Sequence, residues 1–315
     1  MRIVVTGVTG QVGAALVTTL GSLGSVIPAD RSVLNLADPT TLSEALDRLA
    51  PDLIINPAAY TAVDRAEDER ELAFIVNAEA PSAIARWASA RGIPFLHFST
   101  DYVFDGKGES PWREDGPTGP LSAYGASKIA GEEAIRRAKG AHLIVRTSWV
   151  YAARGSNFLT TIAHLARERV ELRIVADQIG APTSARVIAD AVTRLLGSDL
   201  IGLSQRFARA DGLVNVAASG ETSWHGFASR IVDGLKARGV QLAVQSILPL
   251  RTEQFSAKAQ RPQNSRLDLT RLSDVFGLRT PLWKEALETE LDLLSQEMHR
   301  WSDSVAAADA SNGAK

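Results

Sequence analysis

A tyrosine and a lysine four residues apart, Tyr124 and Lys128, are the pair in this sequence best suited to acid–base chemistry. On a helix the two side chains share one face, close enough for each to influence the other. A phenol has an ordinary pKa of about 10, and a neighbouring ammonium favours the phenolate. Such a tyrosine can donate or accept a proton near neutral pH, as reduction of a carbonyl group requires. Thr100 follows an apolar strand and brings a hydroxyl that could hydrogen-bond the substrate oxygen or the tyrosine.

Three glycines at intervals of three, Gly7, Gly10 and Gly13, follow the first apolar run and open the first predicted helix. Glycine lets backbone N–H groups approach a pyrophosphate, and a helix N-terminus favours its negative charge. The spacing differs from the older G-x-G-x-x-G pattern. Asp30 ends the second strand, where an acid would accept from an adenosine ribose hydroxyl, whereas Arg31 beside it would meet a 2′-phosphate. The sequence therefore predicts a dinucleotide site and leaves the choice between NADPH and NADH open.

Strands alternate with helices over the first 150 residues, which argues for a parallel sheet covered on both faces. Apolar runs predict strands at 2–5, 25–29, 52–56, 94–99 and 141–148. Helical spacing predicts helices over 14–23, 40–50, 69–91 and 122–138, the third bent at Pro81. Thr100 then lies at the carboxyl edge of the sheet, where open α/β folds bind their ligands.

The predicted fold class is α/β, a Rossmann-like doubly wound parallel sheet with a smaller α/β C-terminal substrate domain. Residues 1–150 are expected to form an NAD(P)-binding domain, to which 184–200 return. Residues 151–300 are expected to be mainly substrate-binding. The last segment, 302–315, is small and polar and predicts a disordered tail.

Composition excludes several classes of function. The chain has 34 Lys+Arg and 36 Asp+Glu, so its net charge is -2. It therefore lacks the overall excess of basic residues that is typical of nucleic-acid-binding proteins. The chain has no cysteine, so disulfides, thiolate metal sites and cysteine nucleophiles are excluded. Neither a signal peptide nor a long apolar run is found, so we expect no membrane span and a cytoplasmic location. The histidines lack metal-binding spacing, no metal is expected, and His97 is expected to pack within a strand.

Taken together, these residues resemble the extended short-chain dehydrogenase/reductase family, and in detail the dTDP-4-dehydrorhamnose reductases within it. Five strings carry the finer resemblance in the family's order, over about residues 1–295 of the chain. They are NPAAYTAVD at 56–64, STDYVFDG at 99–106, RTSWVY at 146–151, DQxGxPT at 177–183 and RPxNSxLD at 261–268.

The resemblance implies that NADPH or NADH reduces the C4 keto group of dTDP-4-dehydro-β-L-rhamnose to dTDP-β-L-rhamnose, a precursor of cell-surface polysaccharide such as lipopolysaccharide O-antigen. Tyr124 would protonate the nascent oxygen, Lys128 would lower the pKa of Tyr124 and hold the nicotinamide ribose, and Thr100 would polarise the carbonyl or tune Tyr124. The implied cofactor contacts are Gly7, Gly10, Gln11, Val12, Gly13, Asp30, Arg31, Asn35, Leu36, Ala59, Tyr60, Thr61, Tyr124 and Lys128. The implied substrate contacts are Thr100, Asp101, Trp149, Gln178 and Arg261.

Two other functions fit the same residues. One is the same chemistry on another nucleotide-4-keto sugar. The other is a non-catalytic regulatory subunit resembling the methionine adenosyltransferase β subunit, against which the intact Thr100, Tyr124 and Lys128 argue. Asn35 and Leu36 stand where the family has an acid followed by an aliphatic residue, so we expect altered adenine contacts. The sequence leaves a homodimer open, and the charged run 65–71 is expected to be a solvated helix start.

Overall fold

Short apolar runs rich in β-branched residues form the strands of the fold, as the sequence predicts. The computed structural model describes residues 1–197 and 202–312, with side chains described up to residue 300. Within these residues the strands are β1 (Arg2–Thr6), β2 (Ser25–Ala29), β3 (Leu53–Asn56), β4 (Phe95–Thr100), β5 (His142–Thr147), β6 (Val150–Tyr151), β7 (Glu171–Val175), β8 (Ile179–Gly180), β9 (Thr183–Ser184), β10 (Leu213–Asn215), β11 (Thr222–Ser223) and β12 (Ser246–Leu250). The helices are α1 (Gln11–Thr19), α2 (Leu42–Leu49), α3 (Arg70–Phe74), α4 (Ala80–Arg91), α5 (Ala123–Arg137), α6 (Phe158–Glu168), α7 (Ala185–Leu196), α8 (Leu203–Arg209), α9 (Trp224–Ala237), α10 (Thr270–Phe276) and α11 (Trp283–Asn312).

A parallel sheet with the strand order β10-β5-β4-β3-β1-β2 is the centre of the described part of the chain. Every neighbouring pair in it is parallel. On one side of β1 lies β2, and on the other side β3, β4 and β5 follow in turn. The direction of winding therefore changes between β1 and β3. Ligands of open α/β folds bind beyond the carboxyl ends of the strands at such a point. The predicted Rossmann-like, doubly wound class is confirmed.

Helices cover both faces of this sheet. Ile3 and Val5 pack on the face that α1 and α7 cover, whereas Val4 packs on the opposite face with α2 and α4. All three side chains are fully buried. A sheet buried on both faces explains why its strands read as continuous apolar runs rather than as alternating ones.

A second apolar core lies between α6, α9 and α11, where Leu159, Phe227 and Leu287 are fully buried. The short parallel pair β7 and β12 flanks it. The chain also returns to the first core after this region begins. Val192 of α7 is buried there, and β10 adds the outer strand beside β5.

The segment 69–91, predicted as one helix bent at Pro81, is interrupted before that proline. It consists of α3, a π-helical turn over Ile75–Glu79, and α4. Pro81 lies in the first turn of α4, where a missing N–H leaves no helical bond unmade. The prediction of helix over this segment is confirmed, since the backbone is helical from Arg70 to Arg91, and the wider π turn is the departure from a regular α-helix.

The last helix, α11, extends to Asn312, whereas the sequence predicted disorder over 302–315. Four alanines between 306 and 310 are the physical reason for the difference, because alanine has the highest helix propensity. Residues 313–315 of the predicted tail lie outside the described residues. Within the described residues, no helix has the length and apolar character needed to span a bilayer.

Candidate active site

The turn between β1 and α1 leaves no room for a side chain at Gly7 or Gly13. Gly7 has φ +57, and a Cβ there would lie 2.8 Å from the backbone nitrogen of Ala58. A Cβ on Gly13 would lie 2.2 Å from the carbonyl oxygen of Gly7. Gly10 occupies the N-cap of α1 and supplies no capping side-chain oxygen. Oε1 of Gln11 is buried and has no hydrogen-bond partner among the residues that the structure describes. A helix start with uncapped N–H donors behind a glycine cradle fits a pyrophosphate.

The residues predicted to hold the adenosine end lie after β2. Oδ1 of the exposed Asp30 accepts from the backbone nitrogen and the hydroxyl of Ser32, at 2.9 and 2.6 Å. These hydrogen bonds hold the pKa of Asp30 below its ordinary value. Arg31 and Asn35 are exposed beside it, whereas Leu36 is 6% exposed and belongs to the core. The carboxylate keeps Oδ2 outside the bonds with Ser32.

A buried asparagine that the sequence analysis missed fixes the loop after β3. Asn77 lies in the π-helical turn, and its Oδ1 accepts from the backbone nitrogen of Tyr60 at 2.8 Å. Its Nδ2 donates to the carbonyl oxygen of Tyr60 at 3.0 Å and to the hydroxyl of Ser127 at 2.9 Å. Asn77 thereby ties the loop holding Ala59, Tyr60 and Thr61 to α5. A polar residue at the centre of a long helical prediction is the signal that could have found it.

Thr100, at the end of β4, is the centre of the candidate acid–base group. Its buried hydroxyl donates to Oδ1 of Asp101 at 3.0 Å and accepts from the backbone nitrogen of Tyr102 at 3.2 Å. The same hydroxyl lies close enough to the phenol of Tyr124 to lower its pKa. The Tyr124 ring packs edge-on against that of Tyr102, with centroids 5.5 Å apart. The structure thus brings Thr100, Asp101 and Tyr124 together at the carboxyl end of β4.

Helix α5 positions Tyr124 and Lys128 one turn apart on a surface that fits closely against the sheet. Its N-cap, Ser122, accepts from the backbone nitrogen of Gly125 at 3.2 Å. A Cβ on Gly125 would lie 2.2 Å from the carbonyl oxygen of Tyr102. Only glycine therefore lets the start of α5 approach the end of β4 at this distance.

The protonation of the pair follows from burial. Burial raises the pKa of Tyr124, and the nearby hydroxyl of Thr100 acts against this. The ammonium of Lys128 lies 3.1 Å from Nε2 of His97 and donates to the carbonyl oxygen of Phe98 at 2.6 Å. Burial lowers the pKa of Lys128 to about 8. Since burial is the largest influence on Tyr124, the phenol keeps its proton at neutral pH rather than losing it through Lys128, and it can act as a proton donor.

Asp101 presents an unpaired acceptor to the site. The residue is 2% exposed, and burial raises the pKa of its carboxyl to about 6. Its Oδ2 is buried with no partner at hydrogen-bond distance among the described residues, although the side chain of Ser265 lies close enough to act against the effect of burial on the pKa. Buried polar atoms in proteins nearly always have a partner, so a ligand hydroxyl fits this position.

Trp149, predicted to contact the sugar, lies two residues after β5. Its ring stacks on that of Trp224 with centroids 3.6 Å apart, and the residue is 8% exposed. Its φ of +48 is left-handed, a conformation rare for a bulky residue. A Cβ on Gly180 would lie 2.6 Å from the indole. The stack directs most of the Trp149 surface into packing, and the sugar contact stays a prediction.

Gln178 and Arg261, predicted for the nucleotide end, belong to two segments that are hydrogen-bonded to each other. Ile179 donates its N–H to the carbonyl oxygen two residues beyond Arg261, at 2.7 Å. Gln178 is buried, and its Nε2 donates to the hydroxyl of Thr252 at 3.2 Å. Nη2 of Arg261 donates to Oδ2 of Asp64 at 2.6 Å. The structure therefore brings the two segments together, with the side chain of Gln178 bonded to Thr252 and that of Arg261 to Asp64.

The charged run 65–71 was predicted to be solvated, and that was wrong for two of its acids. Oε1 of Glu67 accepts from the backbone nitrogen of Ala123 at 2.8 Å, at the first residue of α5. Oε2 of Glu69 accepts from the hydroxyl of Tyr60 at 2.6 Å. These carboxylates join the loop after β3 to the helix that carries the acid–base pair.

The groups that converge at the carboxyl edge are hydroxyls, an ammonium and a carboxyl. Such a set can hold a carbonyl oxygen and give it a proton. The glycine cradle beside it suits a dinucleotide. Within the described part of the chain, no three His, Asp or Glu side chains are grouped so that they could hold a metal ion.

Comparison with known proteins gives matches over nearly the whole chain. Residues 1–296 match the family model of the RmlD substrate binding domain. A dTDP-4-dehydrorhamnose reductase from Burkholderia thailandensis is 45% identical over 301 residues, which are 94% of this chain and 100% of that protein. The dTDP-4-dehydrorhamnose reductase of Escherichia coli is 39% identical over 93% of this chain and 98% of its own.

Solved structures of similar proteins agree. A dTDP-4-dehydrorhamnose reductase from Clostridium acetobutylicum superposes with a TM-score of 0.84 at 34% identity, covering 93% of this chain and 99% of its own. One from Bacillus anthracis, in complex with NADP, has a TM-score of 0.82 at 35% identity and covers 92% of this chain and 98% of its own.

Proposed function

The chain belongs to the dTDP-4-dehydrorhamnose reductase family, and on that premise we propose the reaction of its site. It reduces the C4 keto group of dTDP-4-dehydro-β-L-rhamnose to dTDP-β-L-rhamnose, with NADPH or NADH as reductant. The observation that carries the proposal is the hydroxyl of Thr100, which donates to Asp101 and lies close enough to the phenol of Tyr124 to lower its pKa, at the carboxyl end of β4. A proton donor and a carbonyl-orienting group thus lie side by side.

The glycine turn holds the coenzyme. Bound NADPH or NADH supplies the hydride that reduces C4. The first N–H groups of α1 hold its pyrophosphate, because Gly7 and Gly13 let the turn close tightly on the backbone around it and so set the position of these groups. Asp30 would accept from the ribose through Oδ2, and Arg31 would meet a 2′-phosphate. The further contacts that we propose are Gly10, Gln11, Val12, Asn35, Leu36, Ala59, Tyr60 and Thr61.

Tyr124 supplies the proton. Its raised pKa keeps the phenol protonated at neutral pH, so it can donate to the oxygen that gains charge as C4 is reduced. Thr100 holds the phenol on one side and, on the other, the substrate oxygen. When charged, Lys128 would direct one ammonium hydrogen to the carbonyl oxygen of Phe98 and one to His97, which would leave the third for the nicotinamide ribose.

Four side chains would hold the sugar nucleotide. Oδ2 of Asp101, buried and without a partner among the described residues, would accept from a sugar hydroxyl. Trp149 would contact the sugar ring, and Gln178 the nucleotide end. An arginine suits a diphosphate, so Arg261 would exchange its bond with Asp64 for one with the ligand. A cytoplasmic location remains part of the proposal.

The test is a direct assay with the purified chain. Mixing it with dTDP-4-dehydro-β-L-rhamnose and NADPH or NADH should decrease the absorbance of the reduced nicotinamide. No oxidation with either coenzyme would overturn the proposal. Turnover of a UDP-linked 4-keto sugar in preference to the dTDP-linked one would indicate a different substrate. Coenzyme binding without turnover of any sugar nucleotide would favour a regulatory subunit.

A further inference from the structure

A row of four buried polar side chains lies behind the acid–base pair. Nζ of Lys128 is 3.1 Å from Nε2 of His97, and Nδ1 of His97 is 3.0 Å from Nδ2 of Asn56. Oδ1 of Asn56 accepts from the hydroxyl of Thr6 at 2.5 Å. None of the four is more than 1% exposed. The row crosses from α5 through β4 and β3 to β1, and it ends directly before Gly7.

His97 is neutral in this row. Burial, followed by the nearby charge of Lys128, places the pKa of its imidazole well below the ordinary value. A neutral imidazole carries one N–H and one acceptor nitrogen, so its two ring nitrogens must play opposite roles. The role of Nε2 toward Lys128 therefore dictates the role of Nδ1 toward Asn56.

Two arrangements satisfy the row. If Lys128 is charged, Nε2 of His97 must accept, and Nδ1 carries the proton and donates to the side-chain oxygen of Asn56. If Lys128 is neutral, its nitrogen accepts from Nε2–H, and Nδ1 accepts from the amide nitrogen of Asn56. The second orientation of Asn56 is the one seen, with its oxygen toward Thr6. The amide rotates by half a turn between the two arrangements, so that its nitrogen faces the hydroxyl of Thr6 in the first and its oxygen faces it in the second.

We propose that His97 is a positioning residue for Lys128 in the reduction proposed above, and that its tautomer follows the charge of Lys128. Accepting at Nε2, it holds the ammonium together with the carbonyl oxygen of Phe98 and leaves one hydrogen for the nicotinamide ribose. The proposal concerns which ring nitrogen of His97 carries its proton, and His97 passes no proton to the substrate. This role rests on the proposed function, whereas the tautomer does not.

The charged surroundings of Lys128 leave His97 as the neutral group in contact with it. On its own helix, Tyr124 lies one turn before and Glu132 one turn after. The carboxylate of Glu132 accepts from Nε and Nη2 of Arg146 on β5, at 2.8 and 2.7 Å. Hydrogen bonds from Arg146 hold the pKa of Glu132 low against its burial, so this charge is constant across the range in which Lys128 titrates.

A matched pair of variants separates positioning from simple packing. Glutamine places an amide near the position of Nε2, whereas asparagine reaches only that of Nδ1. With dTDP-4-dehydro-β-L-rhamnose and NADPH, His97→Asn should lower kcat roughly 10- to 100-fold, the effect of one lost bond to a buried charge. It should also move the alkaline limb of the rate profile to lower pH by about 1. His97→Gln should keep kcat and the alkaline limb close to those of the unaltered chain. The KM for the sugar nucleotide should be unchanged in both variants.

Equal losses in the two variants, or an unmoved alkaline limb, would overturn the positioning role. Thermal unfolding of both variants shows whether each is folded. If His97→Asn is not, the comparison of His97→Gln with the unaltered chain and the tautomer measurement decide the question.

The tautomer is read without coenzyme or substrate. The chain labelled with ¹⁵N-histidine is examined by NMR, and His97→Gln identifies the His97 signals. Below the Lys128 pKa of about 8, the proton should reside on Nδ1, and above it on Nε2. A cationic His97 at neutral pH, or one tautomer throughout, would overturn the inference. Failure of the unaltered chain to oxidise NADPH would overturn the proposed function and leave this result standing.

Discussion

The buried carboxyl of Asp101 should make stability depend on pH, and Asp101→Asn should remove that dependence. The pKa of this carboxyl is about 6 in the folded chain, against an ordinary 3.8. The folded chain therefore holds the proton more tightly than the unfolded chain does. The stabilisation is fully present below 3.8 and is lost as the pH rises through about 6.

The size of the effect follows from the difference in pKa. The pKa differs by about 2 between the folded and unfolded chains, and each pH unit corresponds to about 1.4 kcal/mol. The free energy of unfolding therefore changes by about 3 kcal/mol between the two limits of pH. Asparagine has the shape of aspartate and no charge to bury. Relative to the unaltered chain, Asp101→Asn should therefore gain up to about 3 kcal/mol in free energy of unfolding as the pH rises to neutral.

The measurement is urea unfolding of both chains at a series of pH values between the two limits. Asp190→Asn is the matched control, because Asp190 is exposed on α7 and its carboxylate stays in solvent. A difference between Asp101→Asn and the unaltered chain that stays constant to within about 1 kcal/mol would refute the reasoning. The same variant should lose activity, since the Asp101 carboxylate orients the hydroxyl of Thr100.

Three further predictions concern the coenzyme and the proton. Tyr124→Phe should keep NADPH binding, measured by fluorescence titration, and lower kcat roughly 10²–10⁴-fold; nearly full turnover would remove the acid role from Tyr124. Gly13→Ala should weaken NADPH at least about 10-fold with an unchanged circular dichroism spectrum, because its Cβ would lie 2.2 Å from a carbonyl oxygen of the turn; an unaltered Kd would contradict this. Arg31→Ala should weaken NADPH more than NADH, whereas equal losses would show that Arg31 does not touch the 2′-phosphate.

Local sequence was sufficient for the coenzyme turn and for the order of the elements. Gly13 is required by a contact with the backbone of the same turn, and Gly7 by its left-handed φ as well as by a contact with the loop after β3, and the regular spacing of both shows in the sequence. The pair Tyr124 and Lys128 is equally local, because one turn of α5 sets their separation. Continuous apolar runs also predicted the buried parallel strands.

Residues whose role depends on strand register could not be found in this way. Asn56 and His97 meet only because β3 and β4 are paired with Asn56 opposite His97. A histidine within an apolar run looks like a core residue until its neighbours are known. The same holds for Glu67, which looks like a solvated acid and instead bonds the start of α5.

The return of the chain to its first sheet has a consequence for synthesis on the ribosome. In the described part of the chain, the strand that pairs with the outer edge of β5 is β10, which ends at Asn215. Until that residue has emerged, the nascent chain displays an unpaired edge whose centre, Leu143–Val145, is fully buried in the finished protein. Such an edge is a template for pairing with another chain. Protection by a chaperone is therefore most useful over the stretch of translation between β5 and β10, and a fragment cut near residue 150 would keep the exposed edge permanently.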